Sequence, residues 1–249
     1  MAALSQTKII FPYNDFIILD LKKENPPAAV STPASFSITT SSILRLQGAS
    51  PLFGVFMDEL NPANYERIDA PVMISMGMEP YYVSFLAGNK FYETGEYDKA
   101  INEYNTAISL KNDFADAYAW RGNAYRRKGD SVPAIEDYTT ALRHKPGYPE
   151  VYNYRGYVYA QLGEYDRAIT DYSNAIRIKS NFADALFNRA YAYSKKADYD
   201  RAITDYTEVL KLERNNAAAY VERGRAYQAK GFTERANLDF AAAERLNNF

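Results

Sequence analysis

The chain has 249 residues, of which 47% are hydrophobic, a length and composition that allow one or two domains with a sizeable buried core. Its 29 basic and 31 acidic residues give a net charge of −2, which excludes a general electrostatic attraction for nucleic acid or an anionic membrane. The sequence contains no cysteine, so it has no disulfide framework, thiolate zinc site or thiol nucleophile.

The first twenty residues lack the features of a secretory signal peptide. They have no basic start, and Pro12, Asn14 and Asp15 interrupt their apolar run. The longest apolar stretches of the sequence contain only a few residues, far fewer than the roughly 20 that a membrane-spanning helix needs. We therefore expect a cytoplasmic protein that does not insert into a membrane.

Residues 1–80 form the first predicted segment, and they contain most of the eleven prolines. Proline disfavours helix interiors, and short apolar runs between clusters of Pro, Gly, Asn and Ser favour β-strands. The predicted strands are 8–11, 16–21, 35–39, 43–46, 52–57 and 72–76. A small β-rich module is one interpretation of this segment, and an extended, linker-like arm around residues 25–35 is the other.

From residue 81 onwards the sequence repeats with a period of 34 residues. One position of the period holds a small residue: Gly88, Gly122, Gly156, Ala190 and Gly224. A second is always alanine: Ala100, Ala134, Ala168, Ala202 and Ala236. A third is aromatic: Tyr104, Tyr138, Tyr172, Tyr206 and Phe240. Small residues at fixed positions predict close helix crossings, and the aromatic rings are expected to fill the space beside them.

A further glycine position separates two amphipathic helices in each repeat. Gly95, Gly129, Gly163 and Gly231 occupy it, and glycine adopts the left-handed backbone that often follows a helix end. Ala197 takes this place in the fourth repeat. We expect a slightly strained or differently shaped turn there.

These features resemble the tetratricopeptide repeat, and the segment NYRGYVYAQLGEYDRAITDYSNAI at 153–176 carries its signature. The resemblance implies five repeats, at 81–114, 115–148, 149–182, 183–216 and 217–249. The expected fold class is therefore mostly α, with a right-handed helix-turn-helix solenoid at 81–249 and a small β-rich segment at 1–80.

Arginine and aspartate also recur with this period, at Arg121, Arg155, Arg189 and Arg223 and at Asp137, Asp171, Asp205 and Asp239. The first repeat has Ala87 and Glu103 at these two positions, so both members change together. We infer that each arginine pairs with the aspartate of its own repeat and holds the two helices in register. The alternative is an arginine row that binds an acidic ligand.

The sequence shows no combination of residues typical of a catalytic site. His144 is the single histidine, and its place late in a second helix favours an interaction with the helix dipole. The run of Arg126, Arg127 and Lys128 closes a first helix and is too narrow for a nucleic-acid-binding face. We expect no enzyme activity, no metal, no cofactor and no nucleic-acid partner.

The resemblance also implies a binding surface, because positions 2, 5, 9, 12 and 13 of each first helix face a superhelical groove in this family. The expected peptide-binding groove consists of Tyr82, Phe85, Asn89, Tyr92, Asp116, Asn123, Arg126, Arg127, Glu150, Asn153, Tyr157, Asp184, Phe187, Tyr191 and Lys195. Such a surface suits an extended peptide or a helix. The alternative is that residues 1–80 cover Tyr82 and Phe85.

Family members that grip the acidic C-termini of heat-shock chaperones use lysine and arginine at set positions of three consecutive repeats. In this chain the second position of the third repeat in each frame is Glu150, Asp184 or Ala218, so none supplies the required cation. We therefore expect a non-enzymatic scaffold or adaptor that binds another protein partner. The alternative is a structural subunit that self-assembles as a homo-oligomer, or docks into a larger complex, through residues 1–80.

Overall fold

The computed structural model describes residues 77–247, which contain ten α-helices and no strand. The helices are α1 (Pro80–Glu93), α2 (Tyr97–Leu110), α3 (Ala115–Lys128), α4 (Ser131–His144), α5 (Pro149–Gln161), α6 (Tyr165–Ile178), α7 (Ala183–Lys195), α8 (Tyr199–Leu212), α9 (Ala217–Ala229) and α10 (Thr233–Asn247). The predicted strands at 8–76 lie outside the described residues, so the β-rich segment stays a prediction.

The helices form five helix-turn-helix repeats, as the 34-residue period predicts. Each first helix packs against the second helix of its own repeat, and each second helix packs against the first helix that follows it. First helices of adjacent repeats also contact each other, whereas no two second helices of residues 77–247 do. The first helices α1, α3, α5, α7 and α9 therefore line the inner, concave face of the solenoid.

A glycine allows the two helices of a repeat to cross closely, which confirms the interpretation of the small-residue positions. A Cβ atom built on Gly122 would lie 2.9 Å from the Tyr138 ring, and one on Gly156 would lie 2.8 Å from the Tyr172 ring. Both tyrosine rings are almost fully buried. Because a Cβ at these distances would force the ring or the helix to shift, the packing favours the smallest side chain at this position, where Ala190 is the largest residue found.

The turns inside the repeats have the left-handed backbone that their glycines predict. Gly95, Gly129, Gly163 and Gly231 have φ values of 80°, 88°, 78° and 80°. Ala197 has a φ of 59° and is the one non-glycine residue of the described chain with a positive value. The fourth repeat thus keeps the turn at the expense of strain at an L-residue.

Replacing Ala197 with glycine should stabilise the protein. A left-handed backbone costs an L-residue roughly 1–2 kcal/mol, and glycine removes this strain. Glycine also gives the unfolded chain more conformational freedom, which offsets about 0.4–1 kcal/mol of the gain in stability. We expect a gain of about 1 kcal/mol in the free energy of unfolding, measured by urea denaturation. Gly163→Ala is the reciprocal variant and should lose a similar amount, since a Cβ there meets no atom within 4 Å. A destabilised Ala197→Gly variant would contradict the assignment of strain.

Buried arginine–aspartate pairs, which we call the arginine–aspartate ladder, join the helices of repeats two to five. In the second repeat, Arg121 donates from Nε and Nη2 to the two carboxylate oxygens of Asp137, at 2.8 and 2.6 Å. The same two-bond geometry joins Arg155 to Asp171, Arg189 to Asp205 and Arg223 to Asp239. The predicted pairing within repeats is therefore confirmed.

Each ladder arginine also reaches the preceding repeat. Its Nη1 donates to a polar side chain on the earlier second helix, at 2.5–3.1 Å: Asn105, Thr139, Ser173 and Thr207 for the successive arginines. The hydrogen bonds to Asp205 raise the pKa of the Arg189 guanidinium, which favours its charged form. One planar guanidinium thus fixes both the helix register within a repeat and the contact between repeats.

Candidate functional site

A cavity of about 330 Å³ opens on the concave face, where the first helices of the second, third and fourth repeats meet. Five residues of the predicted groove line it: Arg126, Asn153, Tyr157, Asp184 and Phe187. Four other polar or aromatic residues and two alanines also line it: Tyr154, Asn188, Glu213, Asn216, Ala183 and Ala218. The cavity therefore combines charged, amide and aromatic groups within one concave region.

Arg126 lies against aromatic rings on one side of this cavity. Its guanidinium carbon is 5.7 Å from the ring centre of Tyr154 and 5.6 Å from that of Tyr157. Its Nε is buried and has no hydrogen-bond partner in the described part of the chain. Cation–π contacts stabilise the guanidinium, but they leave this N–H available for an acceptor.

Asn153 presents a buried amide to the cavity. The residue is only 6% exposed, and its Oδ1 accepts a hydrogen bond from Nδ2 of Asn188 at 3.0 Å. Within residues 77–247, the Nδ2 of Asn153 has no such partner. An amide N–H in this position can donate to the carbonyl oxygen of an extended chain.

The acidic side of the cavity lacks the acid–lysine ion pair that the second and third repeats contain. Asp116 and Glu150 occupy the second position of their repeats and pair with Lys145 and Lys179, at 3.5 and 3.7 Å. In the fourth repeat, the equivalent acid is Asp184, and both it and the residue that replaces the lysine, Glu213, line the cavity. The two carboxylates have no ion-pair partner in the described chain.

Three predicted groove residues, Phe85, Asn123 and Asn153, are buried, so they present little surface to a ligand. Phe85 is 7% exposed, because its ring packs 5.9 Å from that of Tyr104 and 5.0 Å from that of Phe114. Asn123 is 5% exposed, and its Oδ1 accepts a hydrogen bond from the Tyr138 hydroxyl at 2.8 Å. Burial raises the pKa of Tyr138, so that hydroxyl remains a donor.

Other predicted groove residues lie away from the cavity and have partners of their own. Asn89 accepts from the Tyr104 hydroxyl at 2.8 Å, Tyr92 meets the Trp120 ring edge-on at 5.2 Å, and Tyr82 stacks on Phe85 at 5.8 Å.

Two more of these residues are basic. Arg127 donates from Nε to the Tyr97 hydroxyl at 3.0 Å, and the Nζ of Lys195 lies 5.0 Å from the ring centre of Tyr191. The structure therefore gathers one third of the predicted set around the cavity and gives these others separate contacts.

The described residues show no arrangement typical of a metal centre or a membrane span. They contain no group of three or more His, Asp or Glu side chains that could hold a metal ion. None of the ten helices at 80–247 is both long and apolar enough to cross a bilayer.

Comparison with protein families assigns the repeats. A model described as "TPR repeat" matches residues 88–129, 122–163 and 156–197, and a model described as "Tetratricopeptide repeat" matches residues 183–216. The chain is a tetratricopeptide-repeat protein. The comparison with curated protein sequences found no match.

Solved structures of tetratricopeptide-repeat proteins share the fold. The crystal structure of MamA aligns over 65% of this chain and 94% of its own, with 24% identity and a TM-score of 0.62. MamA 41-end from Desulfovibrio magneticus RS-1 aligns over 68% and 95%, with 14% identity and a TM-score of 0.64. YrrB, described as "a TPR protein with an unusual peptide-binding site", aligns over 67% and 84%, with 23% identity and a TM-score of 0.60. At these identities the likeness concerns the fold alone.

The tetratricopeptide pattern did not reveal four residues of the cavity wall, Tyr154, Asn188, Glu213 and Asn216. Glu213 was detectable in principle. Lysine recurs at its repeat position in Lys111, Lys145 and Lys179, and the series changes sign at the fourth repeat.

Proposed function

We propose that this tetratricopeptide-repeat protein is a non-enzymatic, cytoplasmic scaffold that binds an extended peptide or a helix of a partner protein on its concave face. The cavity of about 330 Å³ on the first helices carries this proposal, because two of its N–H groups, the Nε of Arg126 and the Nδ2 of Asn153, have no hydrogen-bond partner within residues 77–247. The described peptide-binding site of YrrB, which has the same fold, supports it. N–H groups that are already positioned but unpaired in the free protein can form hydrogen bonds to a ligand without further ordering.

Two exposed tyrosines give the groove its aromatic anchors. Tyr157 and Tyr191 hold the same position in consecutive repeats and are 40% and 38% exposed. Tyr157 also lines the cavity beside Arg126. Tyrosine is enriched among the residues that dominate binding energy, since a rigid ring buries a large area at a small entropy cost.

The proposal predicts that Tyr157→Ala and Tyr191→Ala each weaken peptide binding about tenfold, equivalent to about 1.4 kcal/mol. Peptides are first selected from a displayed random library on the full chain, and their Kd is then measured by fluorescence anisotropy. Leu238→Ala is the matched control, because Leu238 is 69% exposed on α10, away from the cavity. It should leave the Kd unchanged.

Helicity and melting of both tyrosine variants should match the parent, because exposed side chains contribute little to packing. Unchanged affinity in both variants would move the binding site out of the groove. Asn123→Ala is unsuitable for this test, since the buried Asn123 accepts a hydrogen bond from Tyr138 and its loss would lower stability.

A further inference from the structure

Within the described residues, acidic and basic side chains of the groove form ion pairs in the second and third repeats but not in the fourth. An acid at the second position pairs with a lysine that follows the second helix, as Asp116 does with Lys145 and Glu150 does with Lys179. Asp184 continues the acidic series, but Glu213 stands where the lysine would be. Asp184 therefore lacks the lysine partner that Asp116 and Glu150 have, and a second carboxylate lies at that position instead.

Both carboxylates belong to the same cavity, and a neighbouring residue orients one of them. Asn216 donates from Nδ2 to Oε2 of Glu213 at 2.8 Å, while its Oδ1 accepts from the backbone N–H of Ala219 at 2.9 Å. Glu213 is therefore tied to the start of α9. Asp184 and Glu213 are both exposed, so their negative charges are accessible to a basic ligand that enters the cavity.

A second, independent feature of the cavity points to a peptide ligand. Asn153 is 6% exposed and lines the cavity, and its Nδ2 has no hydrogen-bond partner within residues 77–247. The buried Nε of Arg126 is likewise without an acceptor. These N–H groups would donate hydrogen bonds to carbonyl oxygens of a peptide backbone, which leaves the carboxylates for a side chain of opposite charge.

We propose that this cavity is a subsite for a lysine or arginine side chain of the bound peptide, held by Asp184 and Glu213. The inference rests on the proposed function and specifies the chemistry of its partner. The cavity of about 330 Å³ has room for a long basic side chain. That ammonium or guanidinium can donate charge-assisted hydrogen bonds to the two exposed carboxylates, and such bonds are stronger than neutral ones.

The test uses pools of acetylated, amidated nonapeptides whose central residue is fixed as Lys, Arg, Gln or Glu and whose other residues vary. Capping removes the terminal charges, so the central side chain is the variable cation. Fluorescence anisotropy with the full chain should give about tenfold tighter binding for the Lys and Arg pools than for the Gln pool. The Glu pool should bind more weakly than the Gln pool.

Glu213→Lys is the decisive variant. It restores the arrangement of Asp116 with Lys145, so the protein should fold with an unreduced Tm, yet the preference for Lys and Arg over Gln should disappear. Asp113→Lys makes the same change in net charge in the exposed loop between α2 and α3 and should keep the preference.

The outcomes separate this inference from the proposed function. Equal binding of the Lys, Arg and Gln pools to the parent chain would overturn the basic-side-chain subsite and leave peptide binding intact. A preference that survives Glu213→Lys would overturn the role of the acidic pair. Binding of none of the pools would contradict both the inference and the proposed function.

Discussion

Replacing Asp171 with alanine should lower the free energy of unfolding by about 4 kcal/mol, because breaking a buried ion pair leaves an uncompensated charge. Asp171 is only 3% exposed and accepts two hydrogen bonds from Arg155, both at 2.8 Å. Arg155 also holds Thr139 of the preceding repeat at 2.9 Å. Loss of the carboxylate therefore weakens the packing within the third repeat and its contact with the second repeat. Equilibrium urea denaturation followed by circular dichroism measures the effect.

Two further variants isolate the contribution of the pair. The double variant Arg155→Ala/Asp171→Ala should be clearly more stable than the sum of the two single losses implies, since removing both charges leaves neither unpaired. Glu103→Ala is the control from the first repeat, where Ala87 stands in the arginine position. It should change the stability by less than about 0.5 kcal/mol. A loss below about 1 kcal/mol for Asp171→Ala would contradict a structural role for the ladder.

The second largest effect is expected at the helix crossing of the third repeat. Gly156→Ala should lower the free energy of unfolding by about 2 kcal/mol through overpacking. The new Cβ would lie 2.8 Å from the buried Tyr172 ring and 3.2 Å from the backbone oxygen of Ala168. The higher helix propensity of alanine recovers at most about 1 kcal/mol of this loss. Thermal and urea denaturation both measure the loss of stability.

The matched control is a glycine that packs against nothing. Gly147 lies between α4 and α5, and a Cβ built there meets no atom within 4 Å. Gly147→Ala should be neutral or stabilising by up to about 1 kcal/mol, because it reduces the freedom of the unfolded chain. A Gly156→Ala variant as stable as Gly147→Ala would show that the two helices can separate at no cost.

Sequence periodicity was sufficient for the architecture because each packing device recurs in register. The glycine opposite a tyrosine, the glycine turns with Ala197 as the exception, and the arginine–aspartate pairs follow from residue type and spacing. Such features depend on contacts between neighbouring elements of a repeat. A period of 34 residues fixes those contacts without knowledge of the whole structure.

Periodicity was insufficient for the binding surface, because exposure at one repeat position depends on side-chain size. Asn123 and Tyr157 share the ninth position of their repeats. The short asparagine turns to the Tyr138 hydroxyl and is 5% exposed, whereas Tyr157 extends outward and is 40% exposed. Cavity residues such as Glu213 also lie outside the first helices from which the groove was predicted.

The predictions for residues 1–80 remain predictions. The β-rich segment, its coverage of Tyr82 and Phe85, and assembly or docking through it concern a part of the chain that lies mostly before residue 77. Light scattering of the full chain and of residues 81–249 compares their oligomeric states. Self-assembly through residues 1–80 predicts an oligomeric full chain and a monomeric fragment.

A crystal structure of the full chain bound to a library-selected peptide would locate the binding site. We expect the peptide to lie on the concave face, with backbone carbonyls at Asn153 and Arg126 and its surface against Tyr157. A peptide bound on the outer face formed by the second helices, or on residues 1–76 with the cavity empty, would contradict this expectation.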